Sequence, residues 1–398
     1  MKKLLNSKDN TYTLKEVILI TVIFTIFFSV LSGITVYLLS DKNIIASSNV
    51  KDITNTYNEI KNSYYETVDE EELKNSAING MMNFLNEKYS IYMDKDSTDS
   101  LNKKLDGNYK GIGISVSKIK DDIKIVEVFE GTPASNAGLI KNDIIKKVDD
   151  LEVTKDTSLN DVVSLIKEKD NISISVLRDN EIKEFKIDVK NIEQPVTSSD
   201  IYELDNKKIG YIYLSTFSEN SYSQFRRKLI ELENKGIDSL IVDVRSNTGG
   251  YLESANDIAS MFIKKGKTLY TLSEKNNNKV FYDETFESRD YDIVVLVDSI
   301  TASASEVLAS ALKESYGATI IGTKTYGKGR VQQTSNLSNK TMIKYTSALW
   351  LTPNGNSIDG VGIIPGIEVK LSKKYAENPS DKTDDQLQKA LKFLSSVE

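Results

Sequence analysis

Hydrophobic and polar positions follow four rhythms along this chain, and each predicts a different kind of element. Residues 17–39, VILITVIFTIFFSVLSGITVYLL, are uncharged and mostly apolar. About 20 such residues at 1.5 Å rise each cross the hydrocarbon of a bilayer, so the run reads as a transmembrane helix. From Val50 to about Lys88, apolar or aromatic residues recur at helical spacing: Ile53, Tyr57, Ile60 and Tyr64, then Ile78, Met81, Met82 and Leu85. That predicts a small helical region with no evident chemistry. Between about Ser97 and Lys190 short alternating runs take over (GIGISVSKI, IKIVEVF, DIIKKV, ISISVLRD, IKEFKIDV) and read as strands of a small β-rich domain. SLNDVVSLIKEK supplies a helix there, capped by Ser158 or Asn160, and Pro133 opens a short one.

From about Gln194 strands and helices alternate. KIGYIYLSTF, SLIVDVR, YDIVVLVD and ATIIG read as strands, and NSYSQFRRKLIELENKG, YLESANDIASMFI and SASEVLASALKESYG as helices, with Gly236 and Gly317 as terminators. The unbroken apolar strands predict burial on both faces, in an α/β layer. RVQQTSNL and TMIKYTSALWL look like a hairpin, and DDQLQKALKFL closes the chain as a helix. The expected fold class is α/β and β-rich multi-domain. Its parts are a cytoplasmic tail (1–16), a transmembrane anchor (17–39), a helical region (41–96), a β-rich domain (97–190), an α/β core (191–372) and a C-terminal helical segment (373–398).

Charge sets the orientation of the span. Lys2, Lys3, Lys8 and Lys15 precede it, and only Lys42 and Lys51 follow closely, so the N-terminus is expected in the cytoplasm and the rest outside. A cleaved signal peptide is the alternative. The run exceeds the usual apolar length of about 7–15 residues and IIASSNV is a poor cleavage site, which favours a retained anchor.

Composition removes whole classes of chemistry. The chain has 398 residues, no cysteine and no histidine. Disulfides, thiolate nucleophiles, Cys/His zinc sites and Ser-His-Asp triads are all excluded. A net charge of −7 with no basic block argues against a nucleic-acid partner.

Several motifs compete for what remains. GTKTYGK, Gly322–Lys328, matches the start of a phosphate-binding loop, but Gly329 stands where Ser or Thr should hold magnesium, and no helix follows. Ser-x-x-Lys spacing recurs as often as chance allows in a Ser- and Lys-rich chain. Ser303-Ala304-Ser305-Glu306 fits a capping box, and read alone that stretch favours a helix cap over a nucleophile. As a nucleophile, Ser303 would stand at a helix N-terminus, where free N–H groups favour an oxyanion. Its base would then have to be something other than histidine, such as a lysine whose pKa burial lowers from about 10.4. Lys328, between Gly327 and Gly329, suits that role, and Gln332 could orient the amine without adding charge. Read alone, a Gly-Lys-Gly is a surface turn. DVRSNTGG, Asp243–Gly250, could expose N–H groups as a second oxyanion donor or be a plain strand-to-helix turn.

Taken together, TASASEV, TYGKGRVQ and DVRSNTGG, in that family's order, resemble the C-terminal processing peptidases, Ser-Lys hydrolases that carry a PDZ domain. The resemblance implies a protease core of the ClpP/crotonase type at 191–372 and a PDZ domain at 97–190. It makes Ser303 the nucleophile, Lys328 the general base and Gln332 its orienting partner. The N–H groups of Ala304 and Gly249 become the oxyanion hole, with Gly250 as a substitute for the latter. Ile300-Thr301 stand where that family usually has Gly-Ser. YKGIGISV resembles the carboxylate-binding loop, in which the N–H groups of Ile112, Gly113 and Ile114 receive a peptide C-terminus and the tail adds to the sheet edge. Asn142 stands where a glycine is common, and a left-handed turn tolerates asparagine.

The expected activity is that of a membrane-anchored serine endopeptidase acting on proteins through their C-termini. It is expected to need no metal or cofactor, and a homo-oligomer is left open. The competing reading is a catalytically inactive PDZ scaffold on the cell surface. By its position and by analogy with that family, Arg178 in SVLRDNE is a candidate sensor of bound peptide.

Overall fold

A computed structural model describes residues 13–44 and 48–397, with side chains at 36–44, 48 and 49 left undescribed. Lys2, Lys3 and Lys8 of the charge argument lie outside the described residues, as do positions 45–47 of the weak cleavage site. The chain divides into two units, Met1–Phe84 and Leu85–Glu398.

In the first unit the apolar run lies within a helix, Leu14–Ile44, whose stretch Leu14–Thr35 is long and apolar enough to cross a membrane. Helices Ser48–Ser63 and Glu70–Phe84 follow. Lys61 pairs with Glu70 at 2.8 Å, an exposed contact worth little on its own. Helix does not continue to Lys88 as the periodicity predicts. It stops at Phe84, and Asn86 takes a left-handed φ of 47° that an α-helix cannot continue.

In the second unit, the β-rich lobe is a sheet in the order Ile114–Ile119, Asp122–Val128, Ile144–Val148, Asn171–Arg178, Glu181–Asp188. Its helix, Leu159–Glu168, carries a complete capping box between Ser158 and Asp161. Alternation along the strands sends Ile123, Ile125, Ile145, Val148, Ile174 and Val176 inward, all fully buried. Each such side chain contributes roughly 1.5–3 kcal/mol.

The α/β core is a six-stranded sheet in the order Thr197–Leu204, Lys207–Leu214, Ser239–Asp243, Asp292–Val297, Thr319–Gly322, Ile367–Glu368. Its first pair is antiparallel and the rest are parallel. Helices Ser221–Asn234, Leu252–Ser260 and Ala304–Ala311 belong to the core cluster on one face. The C-terminal helix, Asp385–Ser396, covers the other with Leu387, Ala390, Leu391 and Leu394. Helix Ala304–Ala311 runs on as a π turn, Leu312–Tyr316, ended by Gly317 at φ 105°. A second sheet holds the expected hairpin, Arg330–Asn336 with Met342–Leu351, and strand Ile91–Met93 pairs on the other edge of Met342–Leu351.

Parallel register has one consequence for chemistry. Three neighbouring strands, Ser239–Asp243, Asp292–Val297 and Thr319–Gly322, end at the same edge of the sheet. The three sequence motifs leave from those ends. Open α/β sheets bind ligands at the carboxyl ends of their strands.

Candidate active site

Ser303 begins helix Ala304–Ala311 at φ 58°, ψ −120°, a conformation that costs a non-glycine residue about 1–3 kcal/mol. Several bonds hold it there. Ala302 N–H donates to the Asn247 carbonyl at 3.1 Å, and Thr301 Oγ1 to the Val244 carbonyl at 2.9 Å. Ser303 N–H donates to Glu306 Oε2 at 2.8 Å.

Glu306 is fully buried and does much more than cap a helix. Its Oε2 also accepts the Lys328 N–H at 2.9 Å, while Oε1 accepts Thr325 Oγ1 at 2.5 Å and the Gly327 N–H at 2.8 Å. One carboxylate therefore ties the Ser303 segment to the Lys328 loop. The Ser303 and Lys328 backbone nitrogens lie within about 6 Å of each other, since both donate to one oxygen.

The lysine loop is fixed from its other sides too. Tyr326 N–H donates to the Thr301 carbonyl at 3.0 Å. Gly327 has φ 87°, and a Cβ there would lie 2.7 Å from Gly362 N. Trp350, itself buried, donates its indole N–H to the Lys328 carbonyl at 2.9 Å. Burial, then Lys344, pushes the Lys328 ammonium below the usual lysine range, against the opposing pull of Tyr326, Glu87 and Glu306. Its Nζ stands 5.0 Å from the centre of the Tyr89 ring. No hydrogen bond joins Lys328 Nζ to Ser303 Oγ or to Gln332 among the described residues. The Gln332 amide donates instead to the Arg330 carbonyl at 3.0 Å and to Thr346 Oγ1 at 3.5 Å.

Gly249 packs against the Ser303 turn. A Cβ on it would lie 2.8 Å from the Ala302 carbonyl oxygen, 2.9 Å from Ser303 Cβ and 3.1 Å from Ala304 N. Among the described residues the Ala304 and Gly250 N–H groups have no acceptor, whereas the Gly249 N–H donates to Asn247 Oδ1 at 2.9 Å. Asn247 Nδ2 donates in turn to the Leu214 carbonyl at 2.9 Å. At the loop's root the Arg245 guanidinium bridges buried Asp243 and Asp384, with Tyr211 completing the cluster.

In the β-rich lobe, Gly113 has φ 89° and sits so close to Thr132 that a Cβ would overlap it at 2.2 Å. The carbonyls of Ile112 and Gly113 accept the N–H groups of Ala134 and Phe129, both at 2.9 Å, which fixes the loop leading into Ile114. Asn142 takes φ 79°, as expected for a left-handed turn. Arg178 pairs with fully buried Asp143 at 2.7 Å and donates to the Gly138 carbonyl at 2.8 Å.

Thus Ser303, Ala304, Lys328 and Gly249 share one corner, and Ile112, Gly113 and Ile114 lie in the separate β-rich lobe. The sequence pointed to Glu306 only as a cap, and it passed over Asn247, Glu87 and Tyr89. For Asn247 the signal was present inside the quoted DVRSNTGG.

A model of peptidase family S41 matches residues 208–369, a PDZ-domain model matches 111–189, and a model of the activating protease CtpB N-terminal domain matches 37–97. The carboxy-terminal processing protease CtpB of Bacillus subtilis (strain 168) is 37% identical over 332 residues, 82% of this chain and 69% of its own length. The chain belongs to the C-terminal processing peptidase family. Another member, the "Probable CtpA-like serine protease" of Staphylococcus aureus (strain COL), is 32% identical over 372 residues, 89% of this chain and 73% of its own. Among solved structures, the photosystem II D1 C-terminal processing protease superposes with a TM-score of 0.50 at 25% identity, covering 84% of this chain and 92% of that one. The chain is accordingly a serine-type protease of family S41 with a PDZ domain, and the resemblance read from the three motifs holds at that level.

Proposed function

We propose that this family member is a membrane-anchored endopeptidase that captures protein C-termini in its PDZ lobe and cleaves peptide bonds with Ser303 and Lys328. The observation that carries the reading is the shared Glu306 carboxylate, which supports both residues on one buried anchor. Ser303 Oγ attacks the scissile carbonyl carbon while its proton passes to neutral Lys328 Nζ. Collapse of the tetrahedral intermediate expels the amine, which takes that proton, and leaves an ester on Ser303. Lys328 then takes a proton from water, whose oxygen attacks the ester carbonyl carbon, and it passes that proton to Ser303 Oγ as the acyl–Oγ bond breaks. Buried Lys328 is suited to this because its lowered pKa raises the neutral fraction.

The oxyanion would be received by the Ala304 N–H and by Gly249 or Gly250. For Gly249 this requires exchange of its bond with Asn247, whereas the Gly250 N–H has no acceptor among the described residues. Gln332 orients the amine once its own amide is released from Arg330. The N–H groups of Ile112, Gly113 and Ile114 bind the substrate carboxylate. Helix Leu14–Ile44 anchors the chain, with the catalytic part extracytoplasmic.

The test is cleavage of an unstructured protein with an apolar C-terminus by the detergent-solubilised full chain, beside Ser303→Ala and Lys328→Ala. Cleavage by the parent alone is expected. Full activity in either variant would overturn the dyad, and an inert parent would favour a binding scaffold.

A further inference from the structure

Lys328 is enclosed on one side by a residue that belongs neither to the protease-family match nor to the hairpin that follows the lysine. Strand Ile91–Met93 lies along Met342–Leu351, with Ile91 opposite Lys344, and the chain just before it makes a turn from Glu87 to Ser90. The Glu87 carboxylate pins that turn. It accepts the Tyr89 N–H at 3.0 Å, Ser90 Oγ at 2.7 Å and Thr346 Oγ1 at 2.8 Å, and it faces Arg330 at 3.6 Å. Ser90 Oγ in turn accepts the Thr346 N–H at 3.0 Å. The turn is thus locked to the hairpin that follows the lysine, and it delivers the face of the Tyr89 ring 5.0 Å from Lys328 Nζ. Lys88 Nζ closes the outer side, 3.0 Å from the Tyr326 hydroxyl and 4.7 Å from the same Tyr89 ring.

We propose that Tyr89 is a positioning residue for the lysine: its ring is the wall that keeps water from the amine and holds the side chain in place for the serine. This rests on the Ser303–Lys328 reading above. Tyr89 falls within 37–97, the part matched by the CtpB N-terminal-domain model, so a residue of the N-terminal region would complete the protease's own site. The charged and titratable groups facing Lys328 are Lys344 on the neighbouring strand, Tyr326 on its own loop, Glu87 and Tyr89 on the turn, and Glu306 on the helix. Two of the neighbours, Glu87 and Glu306, are carboxylates that favour the ammonium, so exclusion of water is what keeps the neutral amine accessible. A ring face also attracts a cation. Losing the ring removes both effects, and the gain of water is expected to dominate because burial is the largest influence on this amine.

The experiment uses the full chain in detergent with Tyr89→Phe and Tyr89→Ala. In a Ser303→Ala background, the pH dependence of Lys328 acetylation by trace acetic anhydride, read by peptide mass spectrometry, reports the amine without any need for turnover. Tyr89→Phe should match the parent. Tyr89→Ala should lower Lys328 reactivity at neutral pH by about threefold or more, since the neutral fraction falls tenfold for each unit of upward shift. With Ser303 restored, kcat of Tyr89→Ala should fall about tenfold or more with KM nearly unchanged, and the acid limb of kcat/KM should move up with the labelled amine. Labelling and acid limb in Tyr89→Ala that superimpose on the parent would overturn the proposal. So would loss of activity in Tyr89→Phe, which keeps the ring; that variant decides the matter if Tyr89→Ala melts. Lys328→Ala separates the two readings. If it still cleaves, the dyad fails, while the labelling continues to judge Tyr89 by itself.

Discussion

Replacing Glu306 by glutamine removes a single charge from a buried position where four donors converge. The carboxylate accepts Thr325 Oγ1 and Gly327 N–H on one oxygen, and Ser303 N–H and Lys328 N–H on the other. Glutamine offers one acceptor and one donor group, so one side of the site must meet an NH2 head-on. The amide should turn its nitrogen toward Thr325 and Gly327, because Thr325 is a hydroxyl whose proton can swing away. Ser303 and Lys328 present two backbone N–H groups that cannot move. The Gly327 N–H is then left unpaired, at about 1–3 kcal/mol, and the bonds that survive lose their charge assistance. Relief of a buried charge offsets part of this, which leaves a net loss of about 2–4 kcal/mol. A melting-temperature drop of about 4–16 °C follows if about 2–4 °C accompany each kcal/mol. Displacement of the serine turn relative to the lysine loop by even 1 Å is enough for a roughly hundredfold fall in kcat. KM should be nearly unchanged, since the PDZ lobe proposed to capture the substrate is untouched. The assays are thermal unfolding and steady-state cleavage of an unstructured protein by the full chain. Glu306→Gln melting within 1 °C of the parent and turning over within about twofold of it would refute the reasoning.

Three further outcomes follow from the same structure. Lys328 has a lowered pKa in the fold, so kcat/KM should rise with pH through that value. Between the folded and unfolded pKa values the unfolded chain binds more protons, so this residue's contribution to stability also rises with pH there. Lys328→Met should therefore be inactive yet melt above the parent near neutrality, with the gap narrowing as pH is raised in a series of thermal scans. Gly249→Ala places a methyl 2.8 Å from the Ala302 carbonyl oxygen at a φ of 96°; circular dichroism should show a folded protein and the cleavage assay a loss of at least tenfold. Arg178→Ala strands fully buried Asp143 without its partner. About 3 kcal/mol should be lost from the β-rich lobe, seen as early protection loss in hydrogen exchange confined to that lobe.

Elements whose identity depends on local pattern were legible in the sequence. The capped helix at Ser158, the left-handed Asn142 and the terminators Gly236 and Gly317 all follow from chemistry within a few residues. The candidate site was legible where its residues fell in compact motifs, and illegible where it depended on distant pairing. Nothing near Glu306 in sequence says that it will accept the N–H of Lys328, twenty-two residues on. Tyr89 reaches its lysine because strand Ile91–Met93 pairs with Met342–Leu351, a register no local pattern announces. The helical rhythm through Leu85 also hid the turn at Glu87, since periodicity cannot register a left-handed asparagine.

The indole of Trp350 gives this protein a built-in optical reporter. It is the chain's single tryptophan, and its N–H is bound to the carbonyl of Lys328, the residue proposed as base. Emission from the whole molecule under tryptophan-selective excitation therefore comes from one point behind the lysine loop. Any event that loosens that loop changes the polarity and hydrogen bonding of the fluorophore. Peptide capture, reshaping of the serine turn and acylation could each be followed in real time by stopped-flow fluorescence, with no dye and no engineered label.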